Sequence, residues 1–574
     1  MTEKGVSIKY GDVAVGAKEN FSPTASESKF DTLSQILNYS SIFENYANPC
    51  ELYQTVLDGS QKALPSSITS EKLGMWSVQL SGSNGKFMND IVLTLKANEQ
   101  YSSQGITITF DIENNIFCTD LFIAWKRGGA VLTSSAFQPN SAFYFCSKKV
   151  ENFDEIQITF KKVNMPYNRL KIHSVDFGYG KIFYGDELRS VKVIQEVDPI
   201  STQISINTLD FTLDSKSDID YNFQTKQEIE TFFDGRLISK TFVKSAKRKS
   251  KNMWEVQSDD YIGIMDGVEF VGGIYSNKSA VKLLKEIFDT AGVLYEIDAI
   301  FNDVVLNGYI PYTTCREALM QVAFAMQAVV DTSNSDKVKV FKLGSDVTQT
   351  IPLSRIMQGQ NFTDEEAVTS VEVAYHKYKP FPETVEAYNS ENDGIGDNIQ
   401  IIFSEPLHSL SITNGKIIKS GTNYAVINAN QNCVLEGKKY RHSIQRKSKS
   451  NDNVLAGEVK KVLTIENATL VSASNIDNVL ERCYNYLIKR NSTNLKIKEG
   501  KYELPGEQIY YGGAAYGTFL YGGLSEGEII QDSPVNVGDY IVSETEYLGN
   551  VEGYIIKESY SLNGNILIKD AVLK

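Results

Sequence analysis

Apolar residues recur along this chain with two periods, and the period changes from segment to segment. In the run from Gly105 to Ile112, Ile106, Ile108 and Phe110 alternate with threonines, the spacing of a half-buried strand. The run from Leu121 to Leu132 places Ile123 and Trp125 on one face and ends at Gly128-Gly129, a turn pair. Glu155 to Gly178 carries two more strand patterns around Asn164-Met165-Pro166-Tyr167. Short strands between turn signals predict a β-sandwich over 41–185. A second β unit spans 186–266. There the alternation through Ile204 and Ile206 shifts phase to Leu209, Phe211 and Leu213, which predicts a bulge or a barrel corner. Asp234-Gly235 between two β-rich runs predicts a tight hairpin.

Helical spacing begins in 267–343, read as an α/β insert with two helices. Val281, Leu284, Ile287, Phe288 and Ala291 form one stripe, closed by Gly292 at a C-cap position. Thr314 and Glu317 have capping-box spacing ahead of Leu319, Val322, Ala323 and Met326. Lys337–Leu343 reads as a strand. Strand patterns return in 344–574, with Val371, Val373 and Tyr375 alternating, as do Ile401 and Phe403. A third helix is predicted over 475–490, capped by Ser474 and Asp477, with Ile476, Val479, Leu480, Cys483, Tyr484 and Leu487 on one face. Burying those side chains is worth roughly 10 kcal/mol before entropy is subtracted. The segment LPGEQI from Leu504, a Tyr/Gly-rich run, VGDYIV from Val537 and a hairpin across Asn563-Gly564 complete a barrel. Residues 1–40 are Ser/Thr-rich without periodicity and read as an arm that orders against a partner. The fold class is therefore mainly β with an α+β insert: a sandwich, then two barrels flanking small helices.

Composition narrows the function. With 574 residues, 42% hydrophobic and 22% charged, the chain is a folded multidomain protein. The 31 tyrosines, 28 phenylalanines and only 13 prolines suit antiparallel sheets. A net charge of −14 argues against a general or sequence-specific nucleic-acid binder. No signal-peptide core and no run long enough for a membrane span are present. Cys50, Cys118, Cys146, Cys315, Cys433 and Cys483 lack metal-type spacing and read as free thiols of a reducing compartment.

Little in the chain points to chemistry. His173, His376, His408 and His442 are far apart in sequence, and no nucleophile motif occurs, so no catalytic, cofactor or metal residues are assigned. Loop carboxylates (Asp259, Asp260, Asp364, Glu365, Glu366, Glu391, Asp393 and Asp397) are numerous enough for a glycosidase pair, but turn and cap settings account for most. The segment from Glu391 to Asn398 lacks the trailing bidentate Glu of a Ca²⁺ loop. Lys244, Lys247, Arg248, Lys249 and Lys251 form the densest basic run: an anionic contact, or a solvated hairpin tip. Tyr511, Tyr516 and Tyr521 lie in a Tyr-Gly repeat of the kind that offers large contact area at low entropic cost. Trp125, Arg127, Tyr167 and Arg169 border turns of the sandwich and can stack on a sugar, although Trp125 alternates with core positions.

Two motif blocks carry a resemblance. The first runs strand, Asp234-Gly235, strand, basic loop, "DDYIGIMD" from Asp259, "GGIY" from Gly272, helix. The second runs "TIENATL" from Thr464, helix, "LPGE" from Leu504, "VGDYIV" from Val537, closing hairpin. In this order they resemble the hub proteins of phage tails and baseplates, the late-control protein D-like family, over roughly two thirds of the chain. The 41–185 pattern resembles galactose-binding-like (discoidin-type) jelly rolls. The resemblance implies a structural, non-enzymatic component of a phage or phage-like tail tip, synthesised in the host bacterial cytoplasm and incorporated in the virion. It implies a homotrimer whose two barrels per subunit make a pseudo-sixfold ring. Its implied partners are the tail tube protein, distal tail or baseplate proteins, the tape-measure protein and a tip or spike protein, with a cell-surface glycan as a candidate ligand of the sandwich. The alternatives are a carbohydrate-active enzyme and a host-receptor-binding adhesin.

Overall fold

The computed structural model describes residues 6–13, 17–27, 33–37, 46–47, 51, 62–63, 74–112, 114–185, 187–215, 223–233, 236–454, 459–498, 535–563 and 566–574. The chain is mainly β, and among the described residues the longer helices fall after residue 260. It forms two compact units, one of residues 1–189 with 211–258, the other of 190–210 with 259–574.

In the first unit, seven strands join in one sheet built around two long ones, Lys86–Phe110 and Phe143–Val163. These two pair antiparallel from Lys86↔Lys162 to Thr109↔Phe143, with register breaks that let one strand serve two stretches of the sheet. Leu93 and Leu95 from one half of Lys86–Phe110 share a core with Ile106, Ile108 and Phe110 from the other. The sheet thus folds over a single interior. Thr107 and Thr109, expected on a wet face, are buried as well, and the Thr107 hydroxyl donates to the Gly178 carbonyl at 2.7 Å. Cys118–Arg127 and Ala130–Phe137 meet across Gly128 and Gly129, both at positive φ (54° and 82°), a conformation glycine adopts without strain.

A second set of strands in this unit corrects the reading of residues 1–40 as an arm. Val6–Val13 lies between Gly178–Tyr184 and Glu228–Phe233, antiparallel to both. Val6, Ile8 and Tyr10 alternate inward and are buried, a short apolar pattern that the surrounding Ser/Thr-rich composition hides. Glu228–Phe233 pairs with Arg236–Arg248, Phe233 opposite Arg236, so the paired strands bracket two residues. Those two, Asp234-Gly235, fall outside the described residues. The core here is aromatic: Phe223 contacts Tyr10 at 4.6 Å, Trp254 at 5.5 Å and Phe183 and Phe211 at 6.0 Å between ring centres.

The expected phase-shift bulge does not form. The strand is Thr208–Asp214, with Leu209, Phe211 and Leu213 buried, and Ile204 and Ile206 precede it in irregular chain. Asn207 fixes that boundary: its side-chain oxygen accepts from the Glu196 amide (2.8 Å), and its amide donates to the Thr332 hydroxyl (2.8 Å).

In the second unit, the helix Ala280–Ala291 is capped by Ser279 and ends at Gly292 in the left-handed region. Its buried face is Ala280, Leu283, Leu284, Ile287 and Phe288, one step round from the stripe read in sequence. The helix Cys315–Met326 is buried on nearly all sides. Only half of its capping box forms: the Thr314 hydroxyl accepts from the Glu317 amide (3.2 Å), while the Glu317 carboxylate turns to the Thr313 hydroxyl. The third helix is Ile476–Leu487, with Ile476, Val479, Leu480 and Cys483 packed against Val371, Val373 and Phe324. Its expected Ser474/Asp477 cap is absent. Asn475 occupies the cap position, accepts from the Ser472 amide (2.8 Å) and donates to the Ala325 carbonyl (3.1 Å), tying the helix start to its neighbour.

Ser370–Asn389 and Tyr424–Ser450 form a long antiparallel ribbon, from Asn389↔Val434 to Ser370↔Ser450. Leu407–Ser420 joins the other edge of Tyr424–Ser450. The chain ends in Tyr540–Thr545, Gly549–Asn563 and Ile566–Leu573, joined antiparallel, with Asn491–Lys498 on the last. Asn563 opposes Ile566, bracketing the predicted turn, of which Gly564 lies outside the described residues. The LPGEQI segment and the Tyr-Gly repeat lie outside them too.

Candidate assembly surfaces

The basic run sits where Arg236–Arg248 ends and the chain returns as Met253–Asp259. Arg248 braces the tip from within: its guanidinium donates to the Ser250 carbonyl (3.1 Å) and the Lys251 carbonyl (2.8 Å) and lies 5.6 Å from the Trp254 ring centre. Lys249 pairs with Glu255 at 2.8 Å. Lys244, Lys247 and Lys251 are exposed, and Lys247 and Lys251 have no carboxylate partner among the described residues. Such a tip holds its shape and presents two ammonium groups to an anionic neighbour. Tyr511, Tyr516 and Tyr521 lie outside the described residues.

The four sugar-contact candidates do not converge. Trp125 is fully buried, edge-on to Phe137. Arg127 is exposed and donates to the Asn152 carbonyl (2.6 Å). Tyr167 is half exposed, with φ at 57°. It follows Val163, which opposes Cys118, so Arg127 and Tyr167 stand at opposite ends of the ten-residue strand Cys118–Arg127. At 3.3 Å per residue that strand is about 30 Å long. Arg169 is buried against Glu51 (3.3 Å) and donates to the Ser77 carbonyl (2.9 Å).

Arg169 belongs to a sealed charge cluster. Lys171 contacts Glu51 (3.0 Å) and Asp111 (3.3 Å) and lies 4.4 Å from the Trp76 ring centre. Burial raises the Glu51 carboxyl, opposed by Lys171 and Arg169. Burial also works against Asp111 ionising, yet Lys171, His173 and Asn114 together hold its carboxyl below the ordinary value. Burial lowers His173 to about 4. Two anions against two cations make this a packing device.

Most of the loop carboxylates take structural posts. Asp260 caps Tyr261–Asp266, accepting from the Ile262 amide (3.0 Å) and the Gly263 amide (3.2 Å), while Thr332 donates to its other oxygen at 2.5 Å. Burial, opposed by these donors, raises it to about 7. Asp364 pairs with Arg490, Glu365 with Lys574, Glu366 with Lys461. Asp393 accepts from the Asn389 amide and Asn389 caps Glu391, so the segment from Glu391 begins as a capped helical turn. Asp259 is half-buried and Asp397 exposed. Cys118, Cys146, Cys315, Cys433 and Cys483 are buried free thiols, and burial pushes Cys118 up to about 11.

Sequence reasoning missed one histidine pair. His376 lies within 3.0 Å of the Glu466 carbonyl, an acceptor, so its Nε2 carries a proton there. Its Nδ1 then accepts from His442 Nε2 at 2.9 Å, and Tyr378 stacks on His442 at 4.4 Å. The ladder pairs Tyr378 with His442, so cross-strand register, invisible in sequence spacing, joins the rings. Burial lowers both imidazoles, which disfavours charge on the pair. Among the described residues no three His, Cys, Asp or Glu side chains gather as a metal site.

No protein-family model and no curated protein matches this chain. Among solved structures it is similar to a tail protein from Neisseria meningitidis MC58, at 10% identity and TM-score 0.40, covering 68% of this chain and 92% of that one. It is similar to the 43 kDa tail protein of prophage MuSo2 from Shewanella oneidensis, at 9% identity and TM-score 0.42, covering 69% and 95%. A type VI secretion component from E. coli, described as similar to T4 bacteriophage tail proteins, aligns at 6% identity and TM-score 0.30, covering 67% and 73%. At these identities and scores the likenesses by themselves assign this chain no function.

Proposed function

We propose that this chain is a structural hub of a phage or phage-like tail tip, working by assembly as a homotrimer that joins a tail tube to its tip. The observation that carries the reading is the order of the two motif blocks that resemble such hubs. Where described, their elements follow that order: paired strands, basic tip, the Asp260-capped turn of helix, Gly273–Ser279, helix; then Val462–Ile465, Ile476–Leu487, Tyr540–Thr545 and the closing pair of strands. The braced tip with Lys247 and Lys251 supports a contact with an acidic neighbour. A glycan site in the first unit finds no support in the placement of Trp125, Arg127, Tyr167 and Arg169.

Native mass spectrometry of the full chain, alone and with a purified tail-tube protein, tests the reading. A species of three chains, alone or on the tube, is the expected result. A 64.1 kDa monomer indifferent to the tube at every concentration would overturn it.

A further inference from the structure

The outward face of the helix Ile476–Leu487 borders a groove of about 640 Å³, within the range of ligand sites. Asn478, Glu481, Arg482, Asn485, Tyr486 and Lys489 line it from the helix and the residues just beyond. Pro199, Ile200, Gln327, Lys342, Leu343 and Tyr554 complete the walls.

Its charges are lopsided. Lys342, Arg482 and Lys489 have no carboxylate within ion-pair distance among the described residues. Arg482 gives one nitrogen to the Pro199 carbonyl (2.6 Å) and the Ala328 carbonyl (2.9 Å), while its other terminal nitrogen has no partner. Burial lowers this guanidinium to about 10. Lys489 rests 5.5 Å from the Tyr554 ring centre. The one carboxylate in the lining, Glu481, is taken by Lys449 at 2.6 Å and by the Asn485 amide at 3.3 Å. Asp198, close by, accepts from the amides of Ile200, Thr202 and Gln203, and its carboxylate also acts on Arg482 across space. In a chain of net charge −14, three cations around one groove, of which only Arg482 feels the nearby Asp198 carboxylate, leave a local excess that an anion relieves.

We propose that this groove docks an extended, acidic segment of another polypeptide. Carboxylates match Lys342, Arg482 and Lys489, and the amides of Gln327, Asn478 and Asn485 can pair with a peptide backbone. A phosphate chain fits less well: its backbone only accepts hydrogen bonds, whereas peptide N–H groups also donate to the side-chain carbonyls of Gln327, Asn478 and Asn485. This goes beyond the hub reading and stands independently of trimer formation.

The test is fluorescence anisotropy with a fluorescein-labelled oligoglutamate peptide, on the full chain and on K342E/K489E, with K342Q/K489Q as a charge-neutral second variant. Both lysines are exposed, so thermal melting should be unchanged. The expected result is saturable binding to the native chain, weakened by salt, and roughly tenfold weaker in K342E/K489E, with K342Q/K489Q between. Should K342E/K489E fail to fold, the loss in K342Q/K489Q carries the comparison. Equal affinity across the native chain and the variants overturns the proposal. So does a single-stranded oligonucleotide that binds these lysines more tightly than oligoglutamate. Native mass on the same samples, with and without tail-tube protein, separates the claims: a trimer that ignores the peptide sinks only the groove, and a chain that binds the peptide yet stays monomeric alone and on the tube sinks only the hub.

Discussion

The second unit treats its cations in two opposite ways. Lys569, fully buried, meets the Glu558 carboxylate at 2.7 Å, while Glu558 also accepts from the Tyr560 hydroxyl at 2.8 Å. Every charge there is answered within the fold. Around the groove, Lys342, Arg482 and Lys489 have no carboxylate within ion-pair distance among the described residues, and the two lysines stand in solvent. A sealed pair repays its desolvation only by geometry, so losing one member is costly. An open cation pays little while hydrated and keeps its attraction for something outside the fold. The contrast separates charges that hold the chain together from charges available to a partner.

The sharpest way to break that contrast is Lys569→Met, which strands Glu558. Chemical denaturation should show a loss of about 3–5 kcal/mol, largely recovered in Lys569→Met/Glu558→Leu. A loss below about 1 kcal/mol would mean the pair is not sealed. Arg482→Met stands between the two classes, because it frees the Pro199 and Ala328 carbonyls and also removes a groove cation. It should cost about 1–3 kcal/mol and weaken peptide binding as well.

Asp260 sharpens the comparison through pH. Its carboxyl sits near 7 in the folded chain against an ordinary 3.8, raised chiefly by burial. Between those pH values the folded state holds a proton that the unfolded state has released. Its contribution to stability therefore declines as pH rises through that window and is flat above it. Urea midpoints of the native chain minus those of Asp260→Asn should show that decline, and parallel curves would contradict it. Smallest of all, K342Q/K489Q should change stability by less than about 0.5 kcal/mol while reducing oligoglutamate binding.

Sequence pattern revealed the local elements well and the sites poorly. The Ile476–Leu487 stripe and the Gly292 stop are set by neighbours within a few residues, and both are present. Val6–Val13 escaped notice because its strand pairing depends on partners more than 160 residues away. The groove was hidden for the same reason, since Pro199, Lys342, Arg482 and Tyr554 meet only after folding. Asn478, Arg482, Asn485 and Lys489 read in sequence as the ordinary polar face of an amphipathic helix. Lys569 and Glu558 are joined by hairpin register, which sets Tyr560 opposite Lys569 and Glu558 opposite Ala571. The Lys244–Lys251 run, by contrast, was legible because its members are adjacent, although the bracing by Arg248 and Trp254 was not.

The central proposal, that this chain works by building a ring with copies of itself, is tested most directly by negative-stain electron microscopy of the purified chain, alone and with a purified tail-tube protein. Class averages of a closed ring with threefold symmetry, in either preparation, are the expected result. Isolated single-chain particles in both preparations, at every protein and salt concentration, would contradict it.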